Sequence, residues 1–214
     1  MLMTPNEYIR KLQGEVSMKE KYGRAVMTVS EQMQEEFSCK TVIQATWLQP
    51  TFLIGFPRSG TTLLDTILRT HSKIDVIEEK AILSKAQLHL GNKLSIVDIE
   101  NLTSGELANA KEIYFEELEK FVSTKSGGCV IDKLPLNILD VPIIHKLFPT
   151  AKFILALRHP LDSILSCWMQ LFRLNPAMAN MVELDRIVDF YGEAMTVLEL
   201  SDVGEYFGIF SNEG

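Results

Sequence analysis

The stretch Gly55-Phe56-Pro57-Arg58-Ser59-Gly60-Thr61-Thr62 has the outline of a turn that grips phosphate. Its glycines stand at the spacing of a Walker A loop, G-x-x-x-x-G-x-[ST], but Thr61 occupies the lysine position. In such a turn successive backbone N–H groups point inward, Gly60 lets the chain approach closely, and the N-terminus of a following helix adds positive potential. Without the lysine, the cation that meets the β- and γ-phosphates of a nucleoside triphosphate is gone. Arg58 offers a cation from another direction, and Thr61 and Thr62 add hydroxyl donors. The pattern points to a nucleotide whose 5′ end is not a triphosphate. At this level the competing possibility is a tight strand-to-helix turn that holds nothing.

Such a turn needs a strand before it and a helix after it, and both are legible. Thr51–Phe56 is a short, nearly continuous apolar run, as in a strand buried on both faces. Thr61–Thr70 carries Leu63, Leu64, Ile67 and Leu68 on what reads as one helix face. Cys129-Val130-Ile131 and Ala151–Leu157 read as two further strands. Thr103-Ser104-Gly105-Glu106 is a capping box that opens a helix with Leu107, Ala110, Tyr114, Leu118 and Phe121 on one side. Asp140 is placed to cap a helix that tolerates Pro142 in its first turn and ends before Pro149. Pro160 starts another, with Ile164, Leu165, Trp168, Leu171 and Phe172 at helical spacing and Trp168/Phe172 read as core. A last helix spans about Leu184–Leu200, and 201–214 shows no persuasive pattern. Before Thr51, a capping box at Thr4-Pro5-Asn6-Glu7 and an amphipathic stretch from Arg24 to Phe37 read as a helical extension without chemistry of its own. Strands alternating with helices imply a parallel sheet covered on both faces.

Composition limits the remaining classes. At 214 residues, 46% hydrophobic and 23% charged, the chain can bury one core, so disorder and fibres are excluded. A net charge of −7 argues against a general nucleic-acid binder. No apolar run reaches the roughly 20 residues of a membrane span, and the N-terminus lacks a signal-peptide pattern. Cys39, Cys129 and Cys167 share no C-x-x-C spacing and read as reduced core thiols of a cytoplasmic protein.

Pro57-Arg58-Ser59-Gly60-Thr61-Thr62-Leu63 resembles the 5′-phosphosulfate loop of the sulfotransferases that use 3′-phosphoadenosine-5′-phosphosulfate (PAPS). Their second segment, which binds the 3′-phosphate, has an arginine after a strand and a serine eight residues later, and Arg158 and Ser166 match it. Asp132-Lys133-Leu134-Pro135 resembles the segment whose lysine reaches the transferring sulfate. The pair Glu78-Glu79 resembles the protein-tyrosine sulfotransferase branch and its bacterial repeat-containing relatives, in which the second glutamate is the catalytic base. Outside the resemblance, each residue has a plainer interpretation. Lys133 is then a solvated lysine at a strand end, Glu78 and Glu79 a wet surface beside Lys80, and Arg158 an ion-pair partner of Asp162. His71 and His159 are taken as structural.

The resemblance spans roughly Phe52 to Arg173 and implies a P-loop-like three-layer α/β/α sandwich with a central parallel sheet. It implies Arg58, Ser59, Gly60, Thr61, Thr62, Lys133, Arg158 and Ser166 as PAPS ligands, with Arg58, Lys133 and Glu79 as the catalytic set and Glu78 as the neighbouring alternative to Glu79. The activity it implies is in-line sulfuryl transfer to a hydroxyl or phenol, a protein or peptide tyrosine included, without a metal. Family members continue past the second motif with a later strand, and 201–214 does not read as that strand. The expected organisation is therefore a helical extension over 1–50, the α/β domain over 51–200 and an unassigned tail over 201–214. On this view the sheet is incomplete at the C-terminus, and an inactive nucleotide-binding or interaction remnant of the fold is the alternative function.

Overall fold

The computed structural model describes residues 50–91, 96–122, 129–170, 172, 178–200 and 207–212. The two helices expected before Thr51, and Cys39, lie outside them. Five strands form one parallel sheet: β1 (Thr51–Gly55), β2 (Ile74–Glu78), β3 (Cys129–Lys133), β4 (Lys152–Arg158) and β5 (Phe207–Asn212), in the order β2-β3-β1-β4-β5. The connecting helices are α1 (Thr61–Leu68), α2 (Ile82–His89), α3 (Ile96–Glu100), α4 (Ser104–Glu119), α5 (Val141–Leu147), α6 (Pro160–Trp168) and α7 (Leu184–Leu200). Short 3-10 helices cover Pro135–Asp140 and Met178–Met181.

Alternation along the strands sorts the core into two layers. Leu53, Ile74, Val76, Ile131 and Ala156 pack with Leu64 and Leu68 of α1 on one face. Phe52, Ile54, Ile77, Phe153 and Leu155 face the other way, against residues of α2, α4, α5, α6 and α7. The expected three-layer α/β/α arrangement is thus the observed one. Phe52 is the centre of the larger layer, its ring 5.8 to 6.2 Å from those of Phe153, Tyr114 and Phe148.

The strands expected from apolar runs are β1, β3 and β4. β2 escapes that pattern because Asp75 interrupts it, yet Ile74 and Val76 alternate with Ile77 as a two-faced strand requires. The expectation for the tail is corrected: Phe207–Asn212 pairs in parallel with β4 from Phe153 to Arg158. Only the neighbouring strand supplies the hydrogen-bonding edge that makes this segment extended.

Several faces also differ from expectation. Leu64 and Leu68 are buried on α1, whereas Leu63 and Ile67 are exposed. Trp168 is 52% exposed rather than core, because α6 turns Ile164 and Cys167 inward instead. Phe121 lies beyond α4 with the Lys80 ammonium 5.4 Å from its ring centre. The capping box at Thr103 forms as expected, with Glu106 returning to the Thr103 N–H at 2.9 Å. Asp140 does not cap α5; it accepts a 2.7 Å hydrogen bond from Gln87 Nε2, and burial raises its carboxyl above the usual range.

Gly55 is where sheet and turn meet. A Cβ there would stand 2.7 Å from both the Ala156 carbonyl oxygen and Ser59 Oγ. Ser59 can rotate away, but Ala156 O belongs to the strand paired with Gly55. Gly55→Ala is therefore expected to destabilise the fold by roughly 1–3 kcal/mol, as overpacking does. Thermal unfolding checks this, and an unchanged melting temperature would show that β1 and β4 are less closely apposed.

Candidate functional site

All strands being parallel, β1, β2, β3 and β4 end on one edge of the sheet, with Gly55, Glu78, Lys133 and Arg158 as their last residues. The neighbours β1 and β4 send their following helices to opposite faces, α1 to one and α6 to the other. Such a divergence opens a crevice at the carboxyl ends of the strands, the usual ligand position in open α/β sheets.

The turn from Phe56 to Gly60 leads into this crevice. Ser59 N–H donates to Phe56 O at 3.1 Å, and Gly60 is left-handed at φ 101. Arg58 is also left-handed, at φ 70, which is uncommon for a side chain with a Cβ. Gly60 is the N-cap of α1 and offers no side chain, so no cap satisfies the first-turn N–H groups. Ser59 Oγ is buried without a hydrogen-bond partner. A buried hydroxyl beside uncapped helix donors is chemistry suited to phosphate oxygens.

α6 begins in the same way beside it. His159 supplies no side-chain cap, Pro160 holds the first turn, and Ser163 Oγ is buried without a partner. The two helix starts are stitched together: Arg58 Nε donates to Ser166 Oγ at 3.0 Å, and an Arg158 Nη group lies 3.5 Å from the Arg58 carbonyl oxygen. Arg158 also pairs with Asp162 at 3.7 Å, so this ion pair coexists with its place in the crevice. The Cys167 thiol donates to Pro57 O at 3.3 Å. Burial pushes that thiol up to about 11 against the pull of Arg58, which keeps its proton in place for the contact. No sequence pattern distinguished Cys167 from an ordinary core thiol.

The third group lies at the ends of β2 and β3. Lys133 is fully buried rather than solvated, and its Nζ sits 2.8 Å from Glu79 Oε1 and 3.2 Å from Glu78 Oε1. Register explains the meeting, since Glu78 pairs with Lys133 and the Glu79 N–H donates to Lys133 O at 2.8 Å. Glu79 turns out of the strand with φ 49. Arg58 and Glu79 are the non-glycine residues with positive φ among the described ones, a feature that clusters at functional sites. The two glutamates are half-exposed but ion-paired, not a free wet surface. Arg69, at the end of α1, extends the group. It holds Asp65 through two nitrogens and reaches Glu78 Oε2 at 3.5 Å. Its i,i+4 spacing from Asp65 was the available sequence signal.

Behind Lys133, Asp132 points into the larger core layer, where the Tyr114 hydroxyl donates to its Oδ2 at 3.0 Å. Burial raises the Asp132 carboxyl to about 7 despite that bond, and it raises the Tyr114 phenol well above its usual range. Asn137, in the following 3-10 helix, is buried with its Nδ2 unpartnered. No helix among the described residues is long and apolar enough to cross a membrane.

Residues 50–200 match the model of the sulfotransferase family. A curated relative, an uncharacterised protein of Aquifex aeolicus (strain VF5), is 32% identical over 133 residues, 58% of this chain; the chain spans only 17% of that relative's length. Two crystal structures are also similar to it. One is a sulfotransferase from Alicyclobacillus acidocaldarius, at 19% identity over 76% of this chain and 72% of that one, with a TM-score of 0.47. The other is sulfotransferase STF9 from Mycobacterium avium, at 13% identity over 87% of this chain and 63% of that one, with a TM-score of 0.48.

Proposed function

The chain belongs to the sulfotransferase family, and from that premise we propose that it transfers a sulfuryl group from PAPS to an acceptor hydroxyl or phenol, a tyrosine side chain being the acceptor suggested by Glu78-Glu79. The observation that carries this reading is the pairing of two uncapped helix starts across one crevice, joined by the Arg58–Ser166 hydrogen bond. Two anion cradles side by side suit a nucleotide with a phosphosulfate at one end and a 3′-phosphate at the other.

In this reading Ser59, Gly60, Thr61 and Thr62 hold the phosphosulfate through backbone N–H groups and hydroxyls. Arg158 and Ser166 hold the 3′-phosphate, the guanidinium giving a fork to two of its oxygens. The acceptor oxygen attacks sulfur in line, forming one S–O bond as the S–O bond to the 5′-phosphate breaks. The electron pair of the broken bond stays on that phosphate, where Arg58 meets the growing charge. Lys133 is the second cation, reaching the transferring group from between its two carboxylates. Glu79 takes the acceptor's proton. Positioning and charge carry the catalysis, as in phosphoryl transfer.

Calorimetric titration tests the donor assignment. 3′-Phosphoadenosine-5′-phosphate should bind at least about tenfold more tightly than adenosine 5′-phosphate, the worth of a charge-assisted phosphate contact. Arg158→Ala should erase that preference while still binding both nucleotides. Equal affinities in the wild-type chain would remove the 3′-phosphate site. Radiolabelled sulfate transfer to phenols and tyrosine peptides then tests the reaction, and binding without transfer would favour the inactive remnant.

A further inference from the structure

Lys133 presents an electrostatic difficulty that points beyond the roles above. Its side chain is wholly buried, and a buried ammonium stripped of its counter-ion costs several kcal/mol. Its nearer partner is Glu79, the proposed base, which must become neutral when it accepts the acceptor's proton. If Glu79 were the sole protein counter-ion, each turnover would leave the ammonium with no protein carboxylate at the moment of transfer.

We propose that Glu78 is a positioning residue for the transfer reaction, the standing counter-ion that keeps Lys133 compensated while Glu79 takes the proton. Glu78 is placed for this on three counts. It lies opposite Lys133 in the β2–β3 register, so the strand pairing fixes its backbone relative to the ammonium. Its Oε1 is 3.2 Å from Lys133 Nζ, and its Oε2 is 3.5 Å from a terminal nitrogen of Arg69. Arg69 is itself anchored on the buried Asp65, so the Glu78 carboxylate is held from both sides. Glu79 has no such second anchor among the contacts described and sits beyond the strand end at positive φ.

Asp65, Arg69, Glu78, Lys133 and Glu79 form a connected chain of ion pairs with one more negative charge than positive. Once Glu79 is protonated the chain is neutral, and Lys133 and Arg69 still have Glu78 and Asp65. Without the Glu78 charge, the same step would start neutral and end with a surplus cation at a buried position. Glu78 thus makes proton uptake by its neighbour electrostatically acceptable, without touching the donor or the acceptor.

This inference rests on the proposed roles of Glu79 and Lys133, and the experiment separates the two. Initial rates with PAPS and a phenolic acceptor are measured for Glu78→Gln, Glu78→Asp and Glu79→Gln, alongside melting temperature. Glu78→Gln is expected to lower kcat about tenfold while the KM for PAPS stays within about twofold, the signature of an interaction that matters in the transition state. Glu78→Asp, which keeps the charge, should recover most of the lost kcat; a purely structural glutamate would not be rescued in this way. Glu79→Gln should lower kcat at least about a hundredfold. Wild-type kcat in Glu78→Gln, a loss confined to KM, or equal impairment of the Asp and Gln variants would each overturn the inference and leave the base assignment standing. Wild-type kcat in Glu79→Gln would overturn the base assignment, and the role of Glu78 with it. Should Glu78→Gln fail to fold, Glu78→Asp decides alone: kcat near wild type with an unchanged KM supports the inference, and a hundredfold loss refutes it.

Discussion

Arg58→Ala is expected to lower sulfuryl transfer about a thousandfold, the upper range for removing one donor from a site of developing negative charge. The reason lies in how much meets at this residue. Its guanidinium is bound to Ser166, its carbonyl oxygen faces Arg158, and its backbone shapes the turn before α1. In the proposed reaction, losing the side chain removes the cation assigned to the breaking bond, and it releases the serine that joins the two helix starts. Arg58→Lys keeps a charge but cannot reproduce a guanidinium hydrogen bond, so an intermediate rate is expected. Stability should move independently of activity. The left-handed backbone at φ 70 costs an ordinary residue roughly 1 kcal/mol or more, so Arg58→Gly should keep or raise the melting temperature while losing transfer. Transfer rates and thermal unfolding on the same samples decide this. An Arg58→Ala variant within tenfold of wild type would take Arg58 out of the reacting centre.

Asp132 carries the largest expected effect on stability. Its carboxyl is buried beneath the sheet edge with one hydrogen bond, from Tyr114, and its Oδ1 has no partner. Burial favours the protonated form, lifting its pKa from 3.8 to about 7. The folded state therefore holds this proton over a range of pH in which the unfolded chain has released it. Between about pH 4 and pH 7 the unfolded state binds fewer protons, so stability falls as pH rises and levels off above the folded value. The shift corresponds to a contribution on the order of 4 kcal/mol that is fully present below the unfolded pKa and lost on passing through the folded one. Asp132→Asn is expected to remove that slope, so the variant gains on wild type as pH increases. Denaturant unfolding of both proteins from pH 4 to 8 isolates the difference from other titrating groups. Parallel curves would mean that Asp132 stays ionised in the fold.

Much of the site was written in local sequence. The glycine turn at Gly55–Thr62 announced itself because a tight strand-to-helix bend restricts residue type within eight positions, and an apolar strand before it with a helix after it gave the context. The last helix was legible to its ends at Leu184 and Leu200 because a 3-4 apolar repeat is a property of the segment itself. What the sequence could not contain is anything decided by a partner strand or helix. Phe207–Asn212 becomes a strand only because β4 offers it an edge, and β2 is a strand despite Asp75 because β3 pairs with it. Which face of α6 is core was likewise settled by packing, which left Trp168 outside and drew Cys167 onto the turn. The order β2-β3-β1-β4-β5 brings residues 54 and 55 positions apart onto one ammonium and residues 108 apart into one hydrogen bond. By itself the sequence determined which residues could bind and react, since side-chain chemistry and short-range backbone geometry are local. Tertiary structure alone decided that Lys133 is buried between two carboxylates and that Arg58 clasps Ser166, because burial and long-range pairing belong to the folded chain as a whole.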